Sequence, residues 1–208
     1  MAGTMPHAIF IETNADGHGA VAAYAAELPG CATYAATDDE AAAALPRRVE
    51  RFCAWLRDAG EAAPRFLGDN WYEVERAAAV DDDGGRLRRA AFSLDELPPS
   101  DEEFARWLSW LELAREELAS ALDGAGDAIP GEGLARIAEQ DLALATALGA
   151  KVTQPGHGDP VDRLYAARDL LTDALAAAGP SAEGVRRTVR LAIADDLRAA
   201  DELRGDSG

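Results

Sequence analysis

Residues 27–45, ELPGCATYAATDDEAAAAL, decide how the first half of this chain folds. Pro29-Gly30 forces a corner, because proline fixes its own φ and glycine tolerates positive φ. Cys31 to Ala36 is short and mostly apolar and reads as a strand. Thr37 is then a good helix N-cap, and Glu40, three residues on, completes a capping box. Asp38, Asp39 and Glu40 fill the first helical turn, where the positive end of the helix dipole favours acids. Three carboxylates in a row therefore have a structural cause. Ala41, Ala44, Leu45, Val49, Phe52, Trp55 and Leu56 continue at helical spacing, and the helix stops by Gly60. Pro46 lies inside this run and is expected to kink it, or to separate a first turn from the main helix.

Upstream, His7 to Thr13 (HAIFIET) has a strand pattern, with Ile9 and Ile11 on one face and Phe10 on the other. Asn14-Ala-Asp-Gly17 supplies turn chemistry. Gly19 to Leu28 is rich in alanine, which favours helix, yet Pro29 leaves too little chain for a packed helix. As a strand it places Val21, Ala23 and Ala25 on one face and Tyr24 on the other. The same shortness argues against a dinucleotide-binding loop at Gly17-His-Gly19, which needs a full helix after its glycines.

The 208 residues include 38 acidic and 20 basic side chains, a formal net charge of −18. Such a surface repels phosphate backbones, so direct nucleic-acid binding is not expected. Strong negative charge also serves solubility alone. Cys31 and Cys53 form no C-x-x-C motif and are expected as small core residues. There is no signal-peptide pattern and no apolar run near the length of a membrane span. A reducing, cytoplasmic setting is the expectation, and the abundance of Ala, Arg, Asp and Gly suits a high-GC bacterial genome.

Asp16-Gly-His-Gly19, Glu27-Leu-Pro-Gly-Cys31 and Thr37-Asp-Asp-Glu-Ala41 occur in the order and spacing of the HicB-like antitoxin domain, which residues 7–60 resemble, with the likeness extending toward 95. The resemblance implies a small sheet-plus-helix unit, a degraded relative of the RNase H fold. Trp71 to Val80 alternates as a later strand would, and Arg86 to Phe92 is expected as one more edge strand after the Asp81–Gly85 turn. Of the acids that RNase H chemistry needs, the first strand offers only Glu12, so two-metal phosphodiester cleavage is not expected. The resemblance further implies a small basic toxin as partner. Many members of that family carry a DNA-binding module, but no helix-turn-helix or ribbon-helix-helix pattern follows here.

Leu97-Pro-Pro99 breaks the chain, and Ser100 with Glu103 forms a second capping box. Phe104, Trp107, Leu108, Leu111, Leu118 and Leu122 make a helical stripe ending at Gly124, with Trp110 expected at an interface. Leu134, Ile137, Ala138, Leu142, Ala145 and Leu148 make a second stripe. Asp159 with Pro160 opens a third helix on Val161, Leu164, Tyr165, Leu171 and Leu175. Ser181 is expected to cap a fourth, on Val185, Val189, Ala192, Ile193, Leu197, Ala200 and Leu203. The expected fold class is α+β, with a HicB-like domain at 1–96 and a four-helix bundle at 100–205.

Gly133-Leu-Ala-Arg-Ile-Ala-Glu-Gln-Asp141 and Arg187 to Arg198 are similar to the second and last helices of the DinB/YfiT-like superfamily, whose members often hold a divalent metal on histidines. Arg136 and Ala199 stand where that family's histidines would fall. The chain's three histidines, His7, His18 and His157, lie outside the helices, so no metal site and no cofactor is expected. Asp141 and Asp196 interrupt apolar stripes and are expected inside the bundle. With Arg136 or Arg190 opposite them they would line a ligand pocket; otherwise they sit at the stripe edge or in a structural ion pair. No residue is assigned a catalytic role. The expected function is a non-enzymatic binding protein of the HicB-like class, engaging a basic protein partner or a second copy of itself. The alternative is a DinB-like metal-independent enzyme or small-molecule-binding bundle.

Overall fold

The structure is a computed structural model describing residues 7–64, 70–81, 87–125, 131–152 and 158–205. It is a mixed α+β chain that divides into two compact units, Met1–Leu94 and Asp95–Gly208.

In the N-terminal unit, strands β1 (His7–Thr13), β2 (Val21–Ala25), β3 (Ala32–Ala35) and β4 (Trp71–Ala78) form a sheet in the order β3-β2-β1-β4. The first two pairings are antiparallel, and β4 returns parallel to β1 after the crossover helix α1 (Asp38–Asp58). The two antiparallel connections are built by local chemistry. Between β1 and β2, Asp16 Oδ1 accepts from the amides of His18 and Ala20, and Asn14 takes a left-handed φ of 57°. Between β2 and β3, the Cys31 amide donates to the Leu28 carbonyl while Gly30 sits at φ 86°. Pro at the second position and a positive-φ Gly at the third are what a type II turn requires. Thr37 then caps α1 by accepting from the Glu40 amide. The helix runs unbroken through Pro46.

One face of the sheet, with Ile9, Ile11, Val21, Ala23 and Ala25, lies under α1, which buries Ala41, Leu45, Val49, Phe52 and Leu56. Fully burying one such leucine contributes about 1.5–3 kcal/mol. The opposite face carries Phe10, Glu12 and Tyr24. It is covered by the chain from Arg89 to Ser93: the Phe92 ring stacks on Phe10 at 4.7 Å, and the Ser93 amide donates to the Glu75 carboxylate. This corrects the expected edge strand over Arg86 to Phe92. Only β6 (Leu87–Arg88) is strand, paired with β5 (Val80–Asp81) in a separate two-stranded ladder. Arg86 and the expected turn at residues 82–85 lie outside the described residues. The residues beyond β6 cover the sheet instead of extending it.

In the C-terminal unit, helices α2 (Asp101–Ala125), α3 (Gly131–Ala147), α4 (Pro160–Ala178) and α5 (Val185–Arg204) share one apolar core. Leu118 and Leu122 from α2, Leu134 and Ile137 from α3, Leu164 from α4 and Ala200 from α5 belong to it. The caps at Ser100 and Asp159 form as the sequence implies. Ser181 does not cap α5: that helix starts three residues later, behind Gly184 at φ 78°, without a side-chain cap. Its first turns are tied down from the side. The Arg186 guanidinium lies over the Trp107 ring at 4.5 Å and donates from Nε to the Leu97 carbonyl. Trp110 is buried. Among the described residues, no helix is long and apolar enough to cross a membrane.

Candidate functional site

Among the described residues the N-terminal unit buries Glu12 with Arg89, and the C-terminal unit buries an Arg190–Asp95 pair and a larger group around Arg168; these differ in how completely they are satisfied. In the N-terminal unit Glu12 is 0% exposed. Its oxygens accept from Arg89 Nε at 3.1 Å and Nη2 at 3.0 Å, from the Tyr24 hydroxyl at 2.7 Å and from the Ala90 amide at 2.5 Å. Burial alone would raise this carboxyl, but the Arg89 charge and the four donors outweigh it and hold it below the ordinary carboxylate range. A carboxylate bound in this way has no lone pair to spare for a metal or a water nucleophile. Glu12 is part of the sheet's interior.

The group in the helical unit is assembled from all four helices. Asp141 on α3 and Asp196 on α5 are buried, 4% and 2% exposed, as their places in the stripes imply. The arginines opposite them are not the expected ones. Arg136 is exposed on α3. Arg190 is buried but turned to Asp95, with Nε 3.2 Å from Oδ1 and Nη2 2.6 Å from Oδ2. The cation between the two acids is Arg168 of α4: its Nη2 donates to Asp196, and its Nε lies 3.9 Å from Asp141 Oδ2. Arg115 of α2 adds a second guanidinium, anchored through Nη1 to the Thr172 hydroxyl.

This group is incompletely paired. Among the described residues, Nε and Nη1 of Arg168, and Nε and Nη2 of Arg115, are buried without a hydrogen-bond partner. Among the described residues Asp141 makes no hydrogen bond. Burial, and then the neighbouring Asp196 charge, push its carboxyl up to about 8 against the pull of Arg168 and Arg115. Burial also raises Asp196, though Arg168 and Arg115 oppose it. The two acids share their cations, so they titrate as a pair. Asp196 keeps its charge more readily because it accepts the guanidinium hydrogen bond; the shared proton rests on Asp141. With Asp141 neutral, Asp196 ionised and both guanidiniums charged, the group is positive inside a strongly acidic chain.

A pH dependence follows. Asp141 has a folded-state pKa raised far above its ordinary 3.8. Its contribution is therefore fully present below the unfolded value and is lost as pH rises through about 8. Asp141→Asn removes the ionisation, so the variant is expected to exceed the parent in stability above pH 8 by on the order of a few kcal/mol. The advantage is expected to vanish in acid. Urea unfolding at several pH values checks this; an equal difference at every pH would refute it.

Sequence reasoning missed Arg168 and Arg115, although both left a signal. Arg168 stands four residues after Leu164 and three before Leu171, in the one gap of that stripe. Arg115 stands four after Leu111 and three before Leu118. An arginine at a core position of an otherwise apolar stripe is buried, and a buried charge needs partners.

Other candidates are placed as follows. His18 is exposed in the first turn, His7 lies on β1 with its ring 4.8 Å from Trp71, and His157 is outside the described residues. Among the described residues no group of three or more His, Cys, Asp and Glu side chains is placed to hold a metal ion. Cys31 and Cys53 are buried with their thiols pushed up by burial, which keeps them protonated and unreactive. No protein-family model matches the chain, and no curated protein and no solved structure matches it.

Proposed function

We propose that the chain is a non-enzymatic binding protein of the HicB-like class that takes a basic protein partner along the outer edge of β4. The observation that carries this reading is the state of that strand. β4 ends the sheet, and among the described residues nothing pairs with its outer side. Tyr72 and Val74 on it are 46% and 51% exposed, set between the acids Glu73 and Glu75. An open edge offers main-chain donors and acceptors to an extended segment, and alternate side chains grade its fit. The net charge of −18 favours a basic segment over a second copy of the same chain. The class is supported by the order of strand, Asp16–Gly19 turn, strand, Pro29-Gly30 corner, strand and Thr37-capped helix. We read the helical unit as a DinB-like four-helix bundle, supported by the core that α2 to α5 share, and as a scaffold without catalytic residues.

Val74→Lys tests the surface. A lysine at the middle of an edge strand blocks strand addition and repels a basic partner. The chain is expected to bind a small basic protein, less tightly as salt rises, and the Lys variant is expected to lose that binding with its fold intact. Binding that survives Val74→Lys, or that does not weaken with salt, would reject the β4 edge.

A further inference from the structure

A guanidinium presents Nε–H and Nη2–H side by side along one edge, a spacing that matches the two oxygens of a carboxylate. Among the described residues, three arginines use that edge in this way. Arg76 holds Glu73 with Nε at 3.0 Å and Nη2 at 2.7 Å. Arg89 holds Glu12 at 3.1 and 3.0 Å, and Arg190 holds Asp95 at 3.2 and 2.6 Å. In each, the carboxylate belongs to the chain.

Arg115 holds no carboxylate in this way among the described residues. Its Nη1 is anchored on Thr172, so the guanidinium is oriented, yet the Nε/Nη2 edge is buried and meets no acceptor among the described residues. Asp141 and Asp196 influence it electrostatically, but neither forms an ion pair with it among the described residues. Near it Arg168, 3% exposed, carries two more nitrogens without a hydrogen-bond partner among the described residues. Each buried donor left unsatisfied costs about 1–3 kcal/mol, and native proteins leave few of them. A carboxylate supplied from outside would satisfy both donors of the Arg115 edge at once. Its single negative charge matches the excess positive charge of the group. Arg115 itself is only partly buried.

We propose that Arg115, backed by Arg168, is a binding site for a small organic anion held by its carboxylate. Thr172 and Asp196 are positioning residues, fixing one nitrogen of each guanidinium. The inference goes beyond the partner-binding reading of β4 and does not depend on it.

The test uses the full chain labelled with 15N-arginine and titrated with sodium acetate, butyrate and benzoate, against chloride at equal ionic strength and against phosphate. The Nε–H resonance of Arg115 is expected to shift along a saturable isotherm with the carboxylates and not with chloride. Arg115→Lys keeps the charge but not the two-donor edge, and is expected to weaken binding at least about tenfold, the equivalent of about 1.4 kcal/mol. Should that variant fail to fold, the titration of the parent chain still decides. No saturable shift with any of the three carboxylates overturns the site, and a response to phosphate as strong as to carboxylate overturns the ligand class.

Discussion

Arg89→Met is expected to destabilise the N-terminal unit by about 3–5 kcal/mol at neutral pH, because it leaves a fully buried carboxylate without its counter-ion. That is a large share of the roughly 5–15 kcal/mol by which a native fold exceeds its unfolded state. The pH dependence should also change sign. In the parent chain Glu12 is held below the ordinary carboxylate range, so its contribution is present above that range and lost as pH falls through the folded value. In the variant, burial is opposed only by the Tyr24 hydroxyl and the Ala90 amide. The carboxyl then moves up, and mild acid stabilises the fold by protonating it. Replacing both partners, Glu12→Gln with Arg89→Met, is expected to recover most of the loss. Urea unfolding at neutral and mildly acidic pH measures all three effects. A loss below about 1 kcal/mol, the range of an exposed pair, would mean that water reaches Glu12.

The second large effect is expected at Arg168. Arg168→Met removes the cation that donates to Asp196 and stands beside Asp141, and it too is expected to cost about 3–5 kcal/mol. The two acids are not equivalent in this respect. Asp196 accepts the hydrogen bond, whereas Asp141 is 3.9 Å away and takes the proton. Adding Asp196→Asn to Arg168→Met is therefore expected to restore more stability than adding Asp141→Asn. A double-mutant cycle isolates each pairwise energy. Equal rescue by the two asparagines would show that Arg168 serves both acids alike, and greater rescue by Asp141→Asn would reverse the placement of the proton.

These two arginines also mark where reading the sequence stops. Turn and cap chemistry is local, and so was legible: Pro29-Gly30 made its turn, Thr37 and Ser100 capped their helices, and Asp159 with Pro160 opened α4. The apolar stripes placed the helices and sent Asp141 and Asp196 inward, because a period of 3.6 needs no knowledge of the partner. Pairing across the fold is different. Glu12 and Arg89 are 77 residues apart, and nothing near either one names the other. Arg190 was named as a partner for the inward acids, but the turn before α2 brings Asp95 to it instead. Ser181 failed as a cap because Gly184, free to take a left-handed φ, starts α5 three residues later. Arg86 to Phe92 has strand-like composition, yet a basic residue beside apolar ones serves equally well to seal a sheet that hides an acid.

The separation of Glu12 from Arg89 has a consequence for synthesis. The first strand leaves the ribosome long before the guanidinium that neutralises it. Until residues 89–93 emerge, the face that carries Glu12 has no cover, so the acid stays in water and needs no counter-ion. The guanidinium and the cover that excludes water thus arrive in the same short segment, so Glu12 is dehydrated only together with its counter-ion.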